Sequence, residues 1–211
     1  RVDLRHGLGG FHLTHGVALD DRIADRWQLD EHDIAQRILC VVGDADTGVF
    51  TNLVTLAPAS GVVPYALNVP FWSDNAIKSR WFSVPDTNQT ITFSRDGNWL
   101  FPTGTVWIKN FELEQTNGVP ASRKRLETRL LVKNDTGIYG VTYRWGNSTS
   151  NATLVAEGGA DDTFTIYDSG GGILRTQVWH YPSRSECFQC HTELGGFALG
   201  FSTAQLNRAF D

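Results

Sequence analysis

The stretch that most constrains this chain is Cys187-Phe188-Gln189-Cys190-His191, near the C-terminus. Two cysteines separated by two residues and followed at once by histidine form the attachment signature of a c-type haem. The chemistry needs that spacing. Two thiols add across the two vinyl groups of a porphyrin, and the adjacent imidazole is placed under the iron as proximal ligand. Zinc competes for the same residues but needs two more ligands; the only other cysteine is Cys40, and no second C-x-x-C occurs. A thioredoxin-like redox pair calls for a βαβ setting, which the surrounding sequence lacks. A plain disulfide across two residues leaves His191 unexplained. Haem c is the reading that uses all five positions, and it leaves Cys40 with no partner for an internal disulfide.

The 211 residues suffice for one domain with a substantial core. Hydrophobic residues at 41% and charged residues at 19% exclude a disordered chain. A net charge of −5 excludes a basic field for nucleic acid or an anionic membrane. No apolar run approaches the ~20 residues that span a bilayer. A chain that begins at Arg1 and holds no methionine reads as a processed or excised product. The sequons at Asn88, Asn134, Asn147 and Asn151 mark polar loops.

The chain divides into three stretches. Residues 1–46 are an N-terminal coil and helix, with His6, His12 and His15 among glycines and a helical pattern over 19–40. Residues 47–179 carry Val-, Thr-, Ile- and aromatic-rich runs separated by turn residues. These runs cover 48–56, 78–84, 89–95, 104–113, 125–133, 137–145, 163–167 and 173–179. Eight or nine strands with no helices between them predict a mostly-β fold, an antiparallel β-sandwich or barrel. Residues 180–211 lose the alternation and predict short helices and tight turns carrying the haem.

Around the motif, the metal ligands are assigned to His191 and, on the distal side, to His180. His6, His12, His15, Tyr181, a lysine, a partner-supplied group or a vacant position compete for the distal role. With no methionine, a His/Met iron is excluded within the chain. Arg184, three residues before Cys187, suits a haem propionate. Trp179 and Phe188 flank the motif and are expected against the porphyrin. The seven tryptophans (27, 72, 81, 99, 107, 145, 179) suit a sandwich core and, alternatively, a sugar-binding platform. Asp161-Asp162 and Asp44 with Asp46 are conceivable calcium pairs or solvated turn residues. Arg123-Lys124-Arg125 is a docking patch or a solvated hairpin.

Several stretches resemble a little-characterised family of exported bacterial haem-c proteins encoded beside, or fused to, quinoprotein sugar dehydrogenases of the sorbosone and glucose type. These are 61–74 (GVVPYALNVPFWSD), 78–82 (KSRWF), 101–106 (FPTGTV), 126–130 (LETRL), 143–145 (YRW), 181–184 (YPSR) and 206–208 (LNR). The resemblance covers residues 47–208. It implies a periplasmic or extracellular monohaem cytochrome passing single electrons from a sugar-oxidising quinoprotein dehydrogenase to another carrier. Two other functions stay open: a haem enzyme or small-molecule sensor with an open iron, and a carbohydrate-binding module with a structural metal.

Overall fold

The computed structural model describes residues 49–85, 88–150 and 152–209. The expected helix over 19–40, His6, His12, His15, Trp27, Cys40 and the Asp44/Asp46 pair lie outside the described residues.

The centre is a six-stranded antiparallel meander in which sequential strands are neighbours. Its long strands are β4 (Ile77–Ser83), β5 (Val106–Glu114), β6 (Arg123–Lys133) and β7 (Ile138–Arg144). Two-residue strands β3 (Val63–Pro64) and β8 (Thr153–Leu154) edge it. Hairpins β1 (Phe50–Asn52) with β2 (Ala57–Pro58), and β9 (Ala160–Tyr167) with β10 (Ile173–Tyr181), form separate two-stranded sheets. Local chemistry sets the turns. Asp168 Oδ1 accepts from the amides of Gly170 and Gly172 at 2.8 and 2.9 Å, which closes β9 onto β10.

The antiparallel, mostly-β expectation holds, but the central sheet does not close into a barrel. Its edges β3 and β8 are short and pair with no further strand among the described residues, and Pro64 blunts one of them. The run 89–95 is not a strand either; only an isolated bridge joins Thr92 to Leu100. Side chains claim its backbone instead. The Ser94 carbonyl accepts from Trp99 Nε1 and Thr203 Oγ1, and Ser94 Oγ accepts from the Gly97 amide.

Strand pairing assigns the side chains to two faces. Trp81, Ile108, Leu130 and Val141 stand in one cross-strand row and pack with Leu56, Val62, Trp145 and Ala152. Ile108 is fully buried, so truncation to alanine there should cost about 2–5 kcal/mol. The opposite face carries two apolar patches. Phe82, Trp107 and Leu131 lie under Phe197, Ala198 and Phe201 of the C-terminal segment. Phe111, Leu113 and Leu126 lie under Phe164, Ile166, Trp179 and Tyr181 of β9 and β10. Between the patches runs a row of cations, Arg80, Lys109 and Arg129. No described helix is long and apolar enough to cross a membrane.

Candidate functional site

The C-x-x-C-H motif sits on helix α1 (Arg184–Cys190), where the sequence changes from strand to helix. Pro182 ends the extended run, and Ser183 caps the helix. Its hydroxyl accepts from the Glu186 amide at 3.3 Å, while Glu186 Oε2 accepts from the Ser183 amide at 2.7 Å. This reciprocal box satisfies two backbone donors at the start of a helix too short to be stable alone. The Arg184 amide donates to Glu157 O at 3.1 Å and ties the first turn to the loop before β9.

Cys187 faces inward. It is half-buried, with its sulfur against Gly140 of β7, and burial raises its thiol pKa. Cys190, three residues on, is exposed. His191 closes the helix, its amide donating to Cys187 O at 3.0 Å. Its ring is held by the loop that follows. Phe197, at a φ of 58°, turns its carbonyl onto His191 Nδ1 at 2.6 Å. A carbonyl only accepts, so Nδ1 carries the proton and Nε2 of the neutral ring is left with its lone pair. Burial, followed by the charges of Lys109 and Arg129, lowers the proton affinity of this ring. A neutral imidazole fixed through Nδ1 is the form in which histidines bind metals.

His180, assigned above as a metal ligand, is committed elsewhere. Its Nδ1 lies 2.7 Å from Asp161 Oδ1 and its Nε2 lies 3.0 Å from Glu186 Oε2. Both nitrogens meet carboxylates, so the ring offers no lone pair to an iron in this arrangement. The two carboxylates raise its pKa, and it in turn holds Glu186 down to about 2. Tyr181 is buried and donates its hydroxyl to Asp162 at 2.8 Å. Asp161 and Asp162 point to opposite faces of β9, and Asp162 pairs with Arg144 at 2.7 Å, so the two do not form a calcium pair.

The remaining candidates separate. Phe188 is exposed beside the motif, as are Leu194 and Leu199. Trp179 is buried edge-on against Phe111 at 5.6 Å, so it belongs to the core beneath the site. Trp81, Trp107 and Trp145 are buried too, whereas Trp72 is exposed together with Phe71. Arg184 makes no ion pair among the described residues. The basic run is engaged within the chain: Arg123 with Glu114, Lys124 with Asn147, and Arg125 with the carbonyls of Leu53 and Val54. Among the described residues, no three His, Cys, Asp or Glu side chains converge as a metal site, so the motif does not close on one point as zinc would require.

Inward residues not singled out from sequence complete the site: Gly140, Phe197 and the cation row. Lys109 is the most perturbed of these. Burial first, then the charges of Arg80, Arg129 and Lys78, bring its pKa down to about 7. The only signal in the sequence is a charge at a core-facing strand position, as in Trp107-x-Lys109-x-Phe111. Compared with protein-family models, curated proteins and solved structures, the chain matches none.

Proposed function

We propose that the chain is an exported monohaem c-type cytochrome that passes single electrons, with a sugar-oxidising quinoprotein dehydrogenase as donor. The observation that carries this reading is the Nδ1 hydrogen bond from His191 to Phe197 O, which prepares Nε2 of the motif's own histidine for a metal. Bound there, haem supplies a one-electron couple between ferric and ferrous iron. The chain's residues divide the remaining work. Cys187 and Cys190, both free thiols, would hold the haem through two thioethers. His191 would hold the iron through Nε2, and Phe188, Leu194 and Leu199 offer exposed apolar surface near the motif. Export and the identity of the donor rest on the resemblance of residues 47–208.

The same geometry favours a second reading on one point. His180 would have to leave Asp161 and Glu186 to bind an iron, so His6, His12 or His15, a lysine, or an exogenous molecule would compete with it as second ligand. A vacant position belongs to a haem enzyme or sensor. Mass spectrometry and acid–acetone extraction test the haem itself: the mass should exceed the sequence mass by one haem, with colour retained on the polypeptide. Bound zinc without haem overturns the proposal. The optical spectrum then separates the two readings. A low-spin protein that excludes carbon monoxide is a carrier, whereas a high-spin one that binds it at once has an open iron.

A further inference from the structure

Arg80, Lys109 and Arg129 stand opposite one another on three adjacent strands, Arg80 against Lys109 and Lys109 against Arg129. Directly paired residues leave the same face of a sheet, so three cations share one row spanning roughly 10 Å. Lys78 extends the cluster from the next row, with its ammonium on the Phe71 carbonyl. Like charges directly opposite repel, and burial strengthens the repulsion. Arg80 is only 8% exposed. Its Nη2 and Arg129 Nε are buried with no hydrogen-bond partner among the described residues.

The compensation within the chain is incomplete. Glu127 accepts from Arg129 Nη2 at 2.5 Å, and neither Arg80 nor Lys109 has an ion pair among the described residues. Lys109 and Arg129 both lie over the Phe111 ring, at 4.8 and 4.7 Å. A ring quadrupole offsets only part of a buried charge. One carboxylate, Glu127, therefore faces three cations, and the guanidinium nitrogens left without a partner, Arg80 Nη2 and Arg129 Nε, are the atoms that would receive further negative charge.

We infer that the Arg80–Lys109–Arg129 row is a carboxylate-binding site, and, resting on the haem reading above, that its occupants are the two carboxylates of the haem. Guanidinium forks match carboxylates in plane and spacing. Arg80 and Arg129, two strand spacings apart, each keep one guanidinium nitrogen without a partner, which suits two acids on one body. The row is walled by buried apolar residues, Phe82, Trp107 and Leu131 under the C-terminal segment on one side and Phe111 under β9 and β10 on the other. The haem motif adjoins the row. Cys187 lies on Gly140, which packs beside Leu131, and the His191 ring feels Lys109 and Arg129. A free dicarboxylic acid shares this chemistry and is the other source.

The test compares the purified protein with Arg80→Gln and Arg80→Lys, by haem midpoint potential and by calorimetric titration with succinate. Loss of a cation beside the haem carboxylates favours the ferric state. The potential should therefore fall in Arg80→Gln and return in Arg80→Lys, with no succinate bound to the filled row. Succinate binding that Arg80→Gln weakens tenfold or more assigns the row to a free acid; if that protein carries no haem, only the haem reading falls. Should Arg80→Gln fail to fold, Lys109→Gln takes its place in both measurements. A haem-loaded protein with an unchanged potential and no succinate binding overturns the inference and leaves the haem reading intact. A haem-free protein that ignores succinate overturns both.

Discussion

Cys187 lies directly on Gly140: a methyl group added at position 140 would stand 2.7 Å from the cysteine sulfur and 3.2 Å from its Cβ. The backbone at Gly140 is not in the left-handed region, so the glycine is required by space and not by conformation. Elsewhere in a strand, glycine to alanine is neutral or stabilising. Here Gly140→Ala should destabilise by about 1–3 kcal/mol, the range for overpacking. It should also reduce the fraction of chains carrying haem, because α1 must move outward. Urea denaturation and haem-to-protein ratio measure both effects; a gain in stability would refute the contact.

His191 and His180 should respond to acid in opposite directions. In haem-free protein the pKa of His191 is lowered by burial, so the folded state binds fewer protons than the unfolded chain. Stability is therefore lost as pH falls through the ordinary histidine value of about 6.5. The pKa of His180 is raised by Glu186 and Asp161, so its contribution is complete below about 6.5 and fades as pH rises through the raised value. Since His180 is exposed, His180→Asn should cost at most about 1 kcal/mol at pH 5.5 and nothing at pH 9. His191→Gln should flatten the acid side of the parent curve. Melting curves of haem-free protein between pH 5 and 9 read both, and equal slopes in the parent and both variants would contradict the assignment.

The strands were legible because their side chains alternate, and six of the eight runs appear as long strands within a few residues of their sequence positions. The run 89–95 alternates equally well, yet the hydrogen bonds to Ser94 come from side chains 5 and 109 residues away, which no local pattern contains. Distance along the chain also hid the partners of His180. Asp161 faces it only through the register of the β9–β10 hairpin, and Glu186 only through the helix cap. The motif itself needed no tertiary knowledge. Its support from Phe197 did, since nothing in Gly195-Gly196-Phe197 announces a carbonyl turned back by a positive φ. No local pattern joins Arg80, Lys109 and Arg129, and only strand pairing places them in one row.

Helix α1 depends on its cap more than on its length. Ser183→Ala removes the acceptor for the Glu186 amide and should cost about 0.5–2 kcal/mol. Because the cap sets the pose of Cys187, the variant should also exchange the α1 amides faster while the β4–β7 amides stay protected. Hydrogen exchange followed by mass spectrometry resolves the two regions, and unchanged α1 protection would show that packing on Gly140 alone holds the helix.

Lys109 supplies a test in which occupancy of the cation row reverses the result. With the row empty, its pKa of about 7 lies well below the ordinary lysine value near 10.4. The unfolded chain then binds more protons between those values, so stability rises as pH increases across the window. The slope approaches about 1.4 kcal/mol per pH unit for a fully buried group, and a part-buried amine should show less. Haem-free protein made with Cys187→Ser and Cys190→Ser isolates this state and removes the Cys187 thiol, which titrates with the opposite sign. In that background Lys109→Met should be more stable than its parent at pH 7, and the gap should close toward pH 10. In haem-loaded protein, carboxylates beside the ammonium restore its proton affinity, and the same substitution should become destabilising at pH 7. Urea denaturation at pH 7, 8.5 and 10 in both backgrounds measures the two gaps. Parallel curves in the haem-free pair would mean that Lys109 keeps its charge in water, and the row would then carry no unmet demand for an anion.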